Sequence, residues 1–492
     1  MNAPAPEARI DSGRVRGVWR GASAAFLGIP FAEPPVGPRR FAAPVPVARW
    51  EGVRPAERHG PTPVREASPL GGLIPEPAVP GEATLNVDVC TPAPGDPAAG
   101  LPVLVWIHGG GYTGGSPASP WYDGRAFNRD GVVTVAVSYR LGFDGFGWID
   151  GAPSNRGVRD WLLALDWVQR NIAAFGGDPG RVTIAGQSAG GGAVLTLLAM
   201  PAARGLFARA WSMSGAPPDI DGERAREIAR RLAAAAGVTP DRAGFGSLDE
   251  ARIRALQGPA SSVRGMLAGS RALLTRGAGL APPVDGELIT APVVEAIAAG
   301  AGADVPLVLG SADDEVAGLF QKDSRALHRV PPGLALAVLG LRGRARRAYL
   351  AANAALREGG TARILGRYAS DMGFRANVLR IARAREGAAA PTWAYRFEWP
   401  SPVSGFAQHC LDVPFFFDCL ADPYVAHVAG DAPPPSLADE VHGAAVAFAA
   451  AGDPGWTPWT ARPGTARAFG AAEPLDPDAY ASVAPLVAPA PR

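Results

Sequence analysis

Arg181-Val182-Thr183-Ile184-Ala185-Gly186-Gln187-Ser188-Ala189-Gly190 is the stretch on which the fold turns. Its first half is a short apolar run with β-branched residues, its second half reads G-x-S-x-G, and residues 193–200 downstream read as helix. Strand, sharp turn and helix in that order lift a serine hydroxyl to a helix N-terminus, where unpaired N–H groups face an oxygen reacting there. Such a turn forces the serine into a costly backbone conformation, and the flanking glycines remove the side-chain clashes that would forbid it. In a chain with 62 glycines the five-residue pattern alone is weak, since a Gly-rich turn with a capping serine would look the same. The surroundings decide.

Outward from this turn, residues 102–107, 131–138 and 305–309 are further short, continuously apolar runs, which suit strands buried on both faces of a parallel sheet. Residues 85–90 and 392–399 also have strand character. Leu162, Leu165, Val168 and Ile172 recur at helical spacing between two of the runs, and 439–451 reads as a late helix. Alternating strands and helices predict an α/β fold with a mostly parallel central sheet flanked by helices. Residues 223–236 and 344–387 look helical, so a helical region at about 220–390 is expected over the C-terminal edge of the sheet, within one domain spanning 1–492. Residues 59–81 read as Pro-rich loop, and the Pro/Ala-rich tail after Pro474 reads as loose.

Composition narrows the function. With 47 basic and 46 acidic residues the net charge is +1. A chain so balanced has no field to draw it to nucleic acid, to an anionic membrane or to a polyanionic substrate. No apolar run approaches the roughly 18–20 residues of a membrane helix, and the first residues lack the apolar core of a signal peptide. Three cysteines, Cys90, Cys410 and Cys419, without C-x-x-C spacing, indicate neither a disulfide framework nor a thiolate zinc site. The expectation is a cytoplasmic protein, with no metal and no cofactor.

His108-Gly109-Gly110-Gly111 follows the run 102–107 directly. Consecutive glycines let backbone N–H groups turn into one cavity, where they stabilise the oxyanion of an acyl-transfer intermediate together with the N–H of the residue after the nucleophile, here Ala189. His108 belongs to that loop and reads as structural. The serine needs a base, and the base an orienting carboxylate, both downstream of the elbow in this kind of sheet. That leaves His328, His409, His427 and His442, with a modest preference for His409, and the acid cluster Asp313-Asp314-Glu315 after the run 305–309. Spacing does not choose among the three carboxylates.

Together these segments resemble the type B carboxylesterases, the family of bacterial esterases, animal carboxylesterases and cholinesterases. Gly28-Ile29-Pro30-Phe31-Ala32-Glu33-Pro34-Pro35-Val36-Gly37-Pro38-Arg39-Arg40-Phe41 is similar to its N-terminal signature, Tyr139-Arg140-Leu141-Gly142 to another block, and Asn171-Ile172-Ala173-Ala174-Phe175-Gly176-Gly177-Asp178-Pro179 with the elbow to its most recognisable one. The resemblance implies an α/β-hydrolase fold and cleavage of small-molecule carboxylic esters through an acyl-enzyme. It implies Ser188, His409 and Glu315 as the triad and Gly110, Gly111 and Ala189 as oxyanion donors. It also implies ion pairs of Arg40 with Glu82 and of Arg140 with Asp178. Cys410, Asp412 and Val316 depart from the pattern beside the triad. Tyr112, Trp148, Phe320 and Phe406 are candidate pocket walls, and a monomer or homodimer is expected. The same site would serve an acyltransferase, a lactone-forming or a carbamate-cleaving enzyme, and relatives without the triad act as binding proteins.

Overall fold

A computed structural model describes residues 4–65, 72–218, 220–262, 279–320 and 327–487. Its strands run β1 (Glu7–Ile10), β2 (Gly13–Arg16), β3 (Val18–Arg20), β4 (Ser23–Pro30), β5 (Val53–Pro55), β6 (Asn86–Thr91), β7 (Leu101–Ile107) and β8 (Val133–Val137). They continue with β9 (Gly177–Gln187), β10 (Arg209–Met213), β11 (Ile220–Asp221), β12 (Pro283–Val284), β13 (Leu307–Ala312), β14 (Thr392–Phe397), β15 (Ala466–Phe469) and β16 (Leu475–Asp476). One sheet has the order β16-β15-β14-β13-β10-β9-β7-β8-β6-β4-β3. Its centre, from β8 to β15, is parallel, and antiparallel strands finish both edges.

Strands β7, β8, β9 and β13 are those the apolar runs predict, whereas β10, which lies between β9 and β13, was missed; every residue of β6, β8 and β13 is buried, as a sheet covered on both faces requires. β13 starts at Leu307, not at Val305, because Pro306 has no N–H for the ladder. Helix Arg156–Asn171 packs Val158, Trp161, Leu165 and Val168 against the sheet, and helix Ala189–Ala199 is buried along nearly all its length. Strand ends align across the centre: Ile107 lies opposite Gly186, Gln187 opposite Met213, and Met213 opposite Gly310. The loops after β7, β9, β10 and β13 therefore emerge together at one end of the sheet, where open α/β sheets bind their ligands.

Between β10 and β14 the described residues are mostly helical, with helices Gly222–Ala236, Glu250–Ser261, Pro332–Val338, Gly343–Ala352, Gly360–Ser370 and Ala376–Ala384. The Asp221 carboxylate caps the first of these at the Glu223 N–H. Parts of this helical region and of the loop at 59–81 (263–278, 321–326 and 66–71) lie outside the described residues.

Three expectations need correction. Arg40 pairs with Asp144, not Glu82: Nε and Nη2 meet the two carboxylate oxygens at 2.7 and 3.2 Å, and Nη1 donates to Leu248 O. A two-point fork on a half-buried carboxylate outcompetes the exposed Glu82. Arg140 pairs with Asp160, not Asp178, at 2.6 and 2.9 Å. Asp178 opens β9 while Arg140 lies beyond the end of the parallel β8, so the two are at opposite ends of the sheet, and Asp178 instead caps the Gly180 N–H. Nor are residues 475–487 loose. They add β16, Tyr480 and Val483 are buried, and Tyr480 Oη donates to Tyr395 O.

Candidate active site

Ser188 leaves β9 with φ 59° and ψ −120° and caps helix Ala189–Ala199. An L-residue adopts this conformation only when its surroundings impose it. Here its N–H donates to Met213 O, and its own carbonyl accepts from the Gly192 N–H. The glycines on either side are obligatory. A Cβ on Gly186 would lie 2.5 Å from the Gly190 carbonyl carbon, and one on Gly190 would lie 1.9 Å from Ile107 O. The helix thus starts pressed against the end of β7, and the serine hydroxyl is the part left free to project.

The glycine loop lies against this elbow. A Cβ on Gly109 would sit 2.7 Å from Gln187 O and 3.3 Å from Ser188 Cβ. Gly110 and Gly111 have φ of +106° and +61°. Among the described residues neither N–H donates to a protein acceptor. His108 is structural: its ring stacks on Tyr139, Nδ1 bonds Gly109 O at 2.8 Å, and burial pushes its pKa down to about 4, so it stays neutral.

Two distant loops complete the site. Glu315 follows β13 and His409 follows β14. His409 Nε2 is 2.9 Å from Ser188 Oγ, and Nδ1 is 2.5 Å from Glu315 Oε2. The carboxylate can only accept, so Nδ1 carries the proton and Nε2 faces the serine hydroxyl as an acceptor. Glu315 is anchored through Oε1, which accepts from Ser214 Oγ at 2.6 Å and from the Ala312 N–H at 2.9 Å. The His409 N–H donates to Glu315 O, tying the loops together through the backbone as well. Burial works against charging His409. The Glu315 carboxylate beside it favours the charged form, and the ring's pKa lies above the ordinary histidine range.

The profile of the carboxylesterase family matches residues 4–467. The chain belongs to the carboxylesterase family. It is 32% identical to the para-nitrobenzyl esterase of Bacillus subtilis over 83% of this chain and 82% of that one. It is 42% identical to human carboxylesterase 3 over 46% of this chain and 43% of that one. A carboxylesterase from Geobacillus stearothermophilus superposes with TM-score 0.84 at 32% identity, covering 97% of this chain and 99% of the other. The protein is therefore a serine hydrolase of carboxylic esters with the α/β-hydrolase fold.

Within this carboxylesterase the four aromatic candidates lie apart. Tyr112 is buried under the helix that follows Ser188, packed on Phe146 and Trp161. Trp148 bonds Asp150 and carries Arg226 over its ring. Phe320 joins the helical cluster around Leu336 and Tyr349. Phe406 is half-buried on the histidine loop, with the Arg363 guanidinium 5.1 Å from its ring centre. Phe374 lies against His409, its ring 4.8 Å from the imidazole, and sequence reading missed it. Phe374 sits in the π-helical turn Asp371–Arg375 between two helices, a register shift that apolar periodicity does not reveal. Ser214 was also missed. Its position directly after an apolar strand, followed by glycine, was the available signal.

The departures have physical consequences. Cys410 takes φ 67°, a conformation that favours glycine, and its thiol is raised by burial, which makes it a poor nucleophile. Asp412 is buried, accepts from Tyr395 Oη at 3.2 Å, and has no partner for Oδ1 among the described residues. The Val316 N–H donates to Ser370 Oγ.

Proposed function

We propose that Ser188, His409 and Glu315 hydrolyse small carboxylic esters in two acyl-transfer steps. The reading rests on one observation: the hydrogen-bonded series from Ser188 Oγ through His409 to Glu315, with the serine held in a conformation its neighbours enforce. Ser188 Oγ attacks the ester carbonyl as His409 Nε2 takes its proton. The negative charge that develops on the carbonyl oxygen is met by the N–H groups of Gly110, Gly111 and Ala189, donors that count most where water is excluded. Glu315 keeps the ring in the productive tautomer and stabilises the imidazolium. His409 then protonates the leaving alcohol, and water, activated by the same base, releases the acid. No step calls for a metal or a cofactor.

On this reading residues 1–492 form one catalytic domain, the helical region at about 220–390 covers the site, and Phe374 and Phe406 are its nearest walls. The name of the Bacillus relative suggests small aryl or benzyl esters as a first assay. Cys90, Cys410 and Cys419 are free thiols, which suits a reducing compartment such as the cytoplasm. Ser188→Ala should lower turnover of a p-nitrophenyl ester by about 10⁴–10⁶-fold while the circular dichroism spectrum stays unchanged. Turnover within tenfold of the parent would sink the assignment.

A further inference from the structure

We propose that Arg363 is a positioning residue that locks the acid loop to the histidine loop and so holds Glu315 on His409. Helix Gly360–Ser370 lays one face on the acid loop. Arg363 forks Asp314, with Nη1 on Oδ1 at 2.5 Å and Nη2 on Oδ2 at 2.9 Å. One turn on, a Cβ on Gly366 would lie 2.8 Å from Ala317 Cα, so helix and loop touch at backbone distance. Two turns on, Ser370 Oγ accepts from the Val316 N–H. The residue immediately before Glu315 and the residues after it are thus held by a single helix.

Arg363 also reaches the second loop. The guanidinium that grips Asp314 lies 5.1 Å from the ring centre of Phe406, three residues before His409. The two loops meet directly there, since the Asp314 N–H donates to Ala407 O. The acid and the base come from strands β13 and β14 and are 94 residues apart in sequence, so their 2.5 Å contact depends on two loops keeping register. A planar cation suits the task, because one plane supplies the fork to a carboxylate and a face to an aromatic ring. Arg367 also meets Asp314, at 3.1 Å, and otherwise reaches Asp313 on the same loop.

The inference rests on the proposed triad. Arg363→Gln should lower kcat by about tenfold to a hundredfold with KM nearly unchanged, because misplacing a group by about 1 Å costs that much. His409 faces Glu315, Cys410 and Asp412. Loosening Glu315 weakens the partner that favours the charged ring, so the acid limb of kcat/KM should move to lower pH. Arg363→Lys, which keeps the charge without the fork, should recover part of kcat and of the shift. Unchanged kcat and pH profile in a folded Arg363→Gln protein would overturn the proposal, as would a change confined to KM. If that variant does not fold, Phe406→Leu keeps the ion pair and removes the ring. It should then shift kcat and the acid limb in the same directions, and no change would overturn the proposal. Ser188→Ala is run in parallel: turnover surviving there rejects the triad, whereas a dead Ser188→Ala with a normal Arg363→Gln rejects only the role of Arg363.

Discussion

Asp412 shows how far one carboxyl can be displaced by its surroundings. Burial, and then the nearby Glu315 carboxylate, push it up to about 7. Its value in the unfolded chain is about 3.9. The folded state therefore holds this proton more tightly, and the stability it contributes is full below about pH 4 and lost as pH rises through about 7. The loss amounts to about 4 kcal/mol over that window. Asp412→Asn cannot ionise, so its urea midpoint should fall less than the parent's between about pH 5 and about pH 8. Equal declines in the two proteins would refute this. His409 gives a second pH signature: its raised pKa puts the acid limb of kcat/KM above the ordinary histidine midpoint of about 6.5, and a limb centred below that value would contradict the geometry. At this scale the sequence was only partly readable. Ser188 and the glycine loop announce themselves because their backbone needs glycine at fixed offsets. Glu315 and His409 do not, because three adjacent carboxylates and four histidines satisfy the same local description. Family resemblance points to Glu315 and His409, and the folded loops bring these two within hydrogen-bond distance of each other and of Ser188.

Among elements, the elbow is the least forgiving. The helix after Ser188 starts against the end of β7 with no room for a methyl group at Gly190. Gly190→Ala should therefore cost at least about 3 kcal/mol, the upper end of overpacking penalties, and lower the thermal midpoint accordingly. A midpoint within one degree of the parent's would mean that the helix can slide away from β7. The buried strands were legible for a related reason. β8 and β13 are covered on both faces, so nearly continuous apolar runs mark them. The π-helical turn at Asp371–Arg375 was not legible, because one extra residue in a turn leaves no periodic trace in so short a segment, yet it is what sets Phe374 on His409.

Over the whole molecule the far end of the chain matters more than its composition suggests. Proline and alanine after Pro474 read as a loose tail, but Tyr480 and Val483 are buried and Arg396 pairs with Asp476 at 2.6 Å. Burying one such side chain is worth about 1.5–3 kcal/mol. Deleting residues 475–492 should lower the urea midpoint clearly, and an unchanged midpoint would show that the segment does not support the sheet edge. The two implied ion pairs failed at this scale too. Arg140 and Asp178 belong to two separate family-like blocks, and strand direction puts them at opposite ends of the sheet. Pairing across a fold depends on which way strands run, and no short motif carries that.

The central claim is that Ser188 is the nucleophile. Intact-mass and peptide analysis after treatment with a fluorophosphonate tests it directly. The account predicts a single adduct on the peptide containing Ser188, formed in step with loss of esterase activity and absent from Ser188→Ala. An adduct on another residue, or full inhibition with Ser188 unmodified, would contradict it.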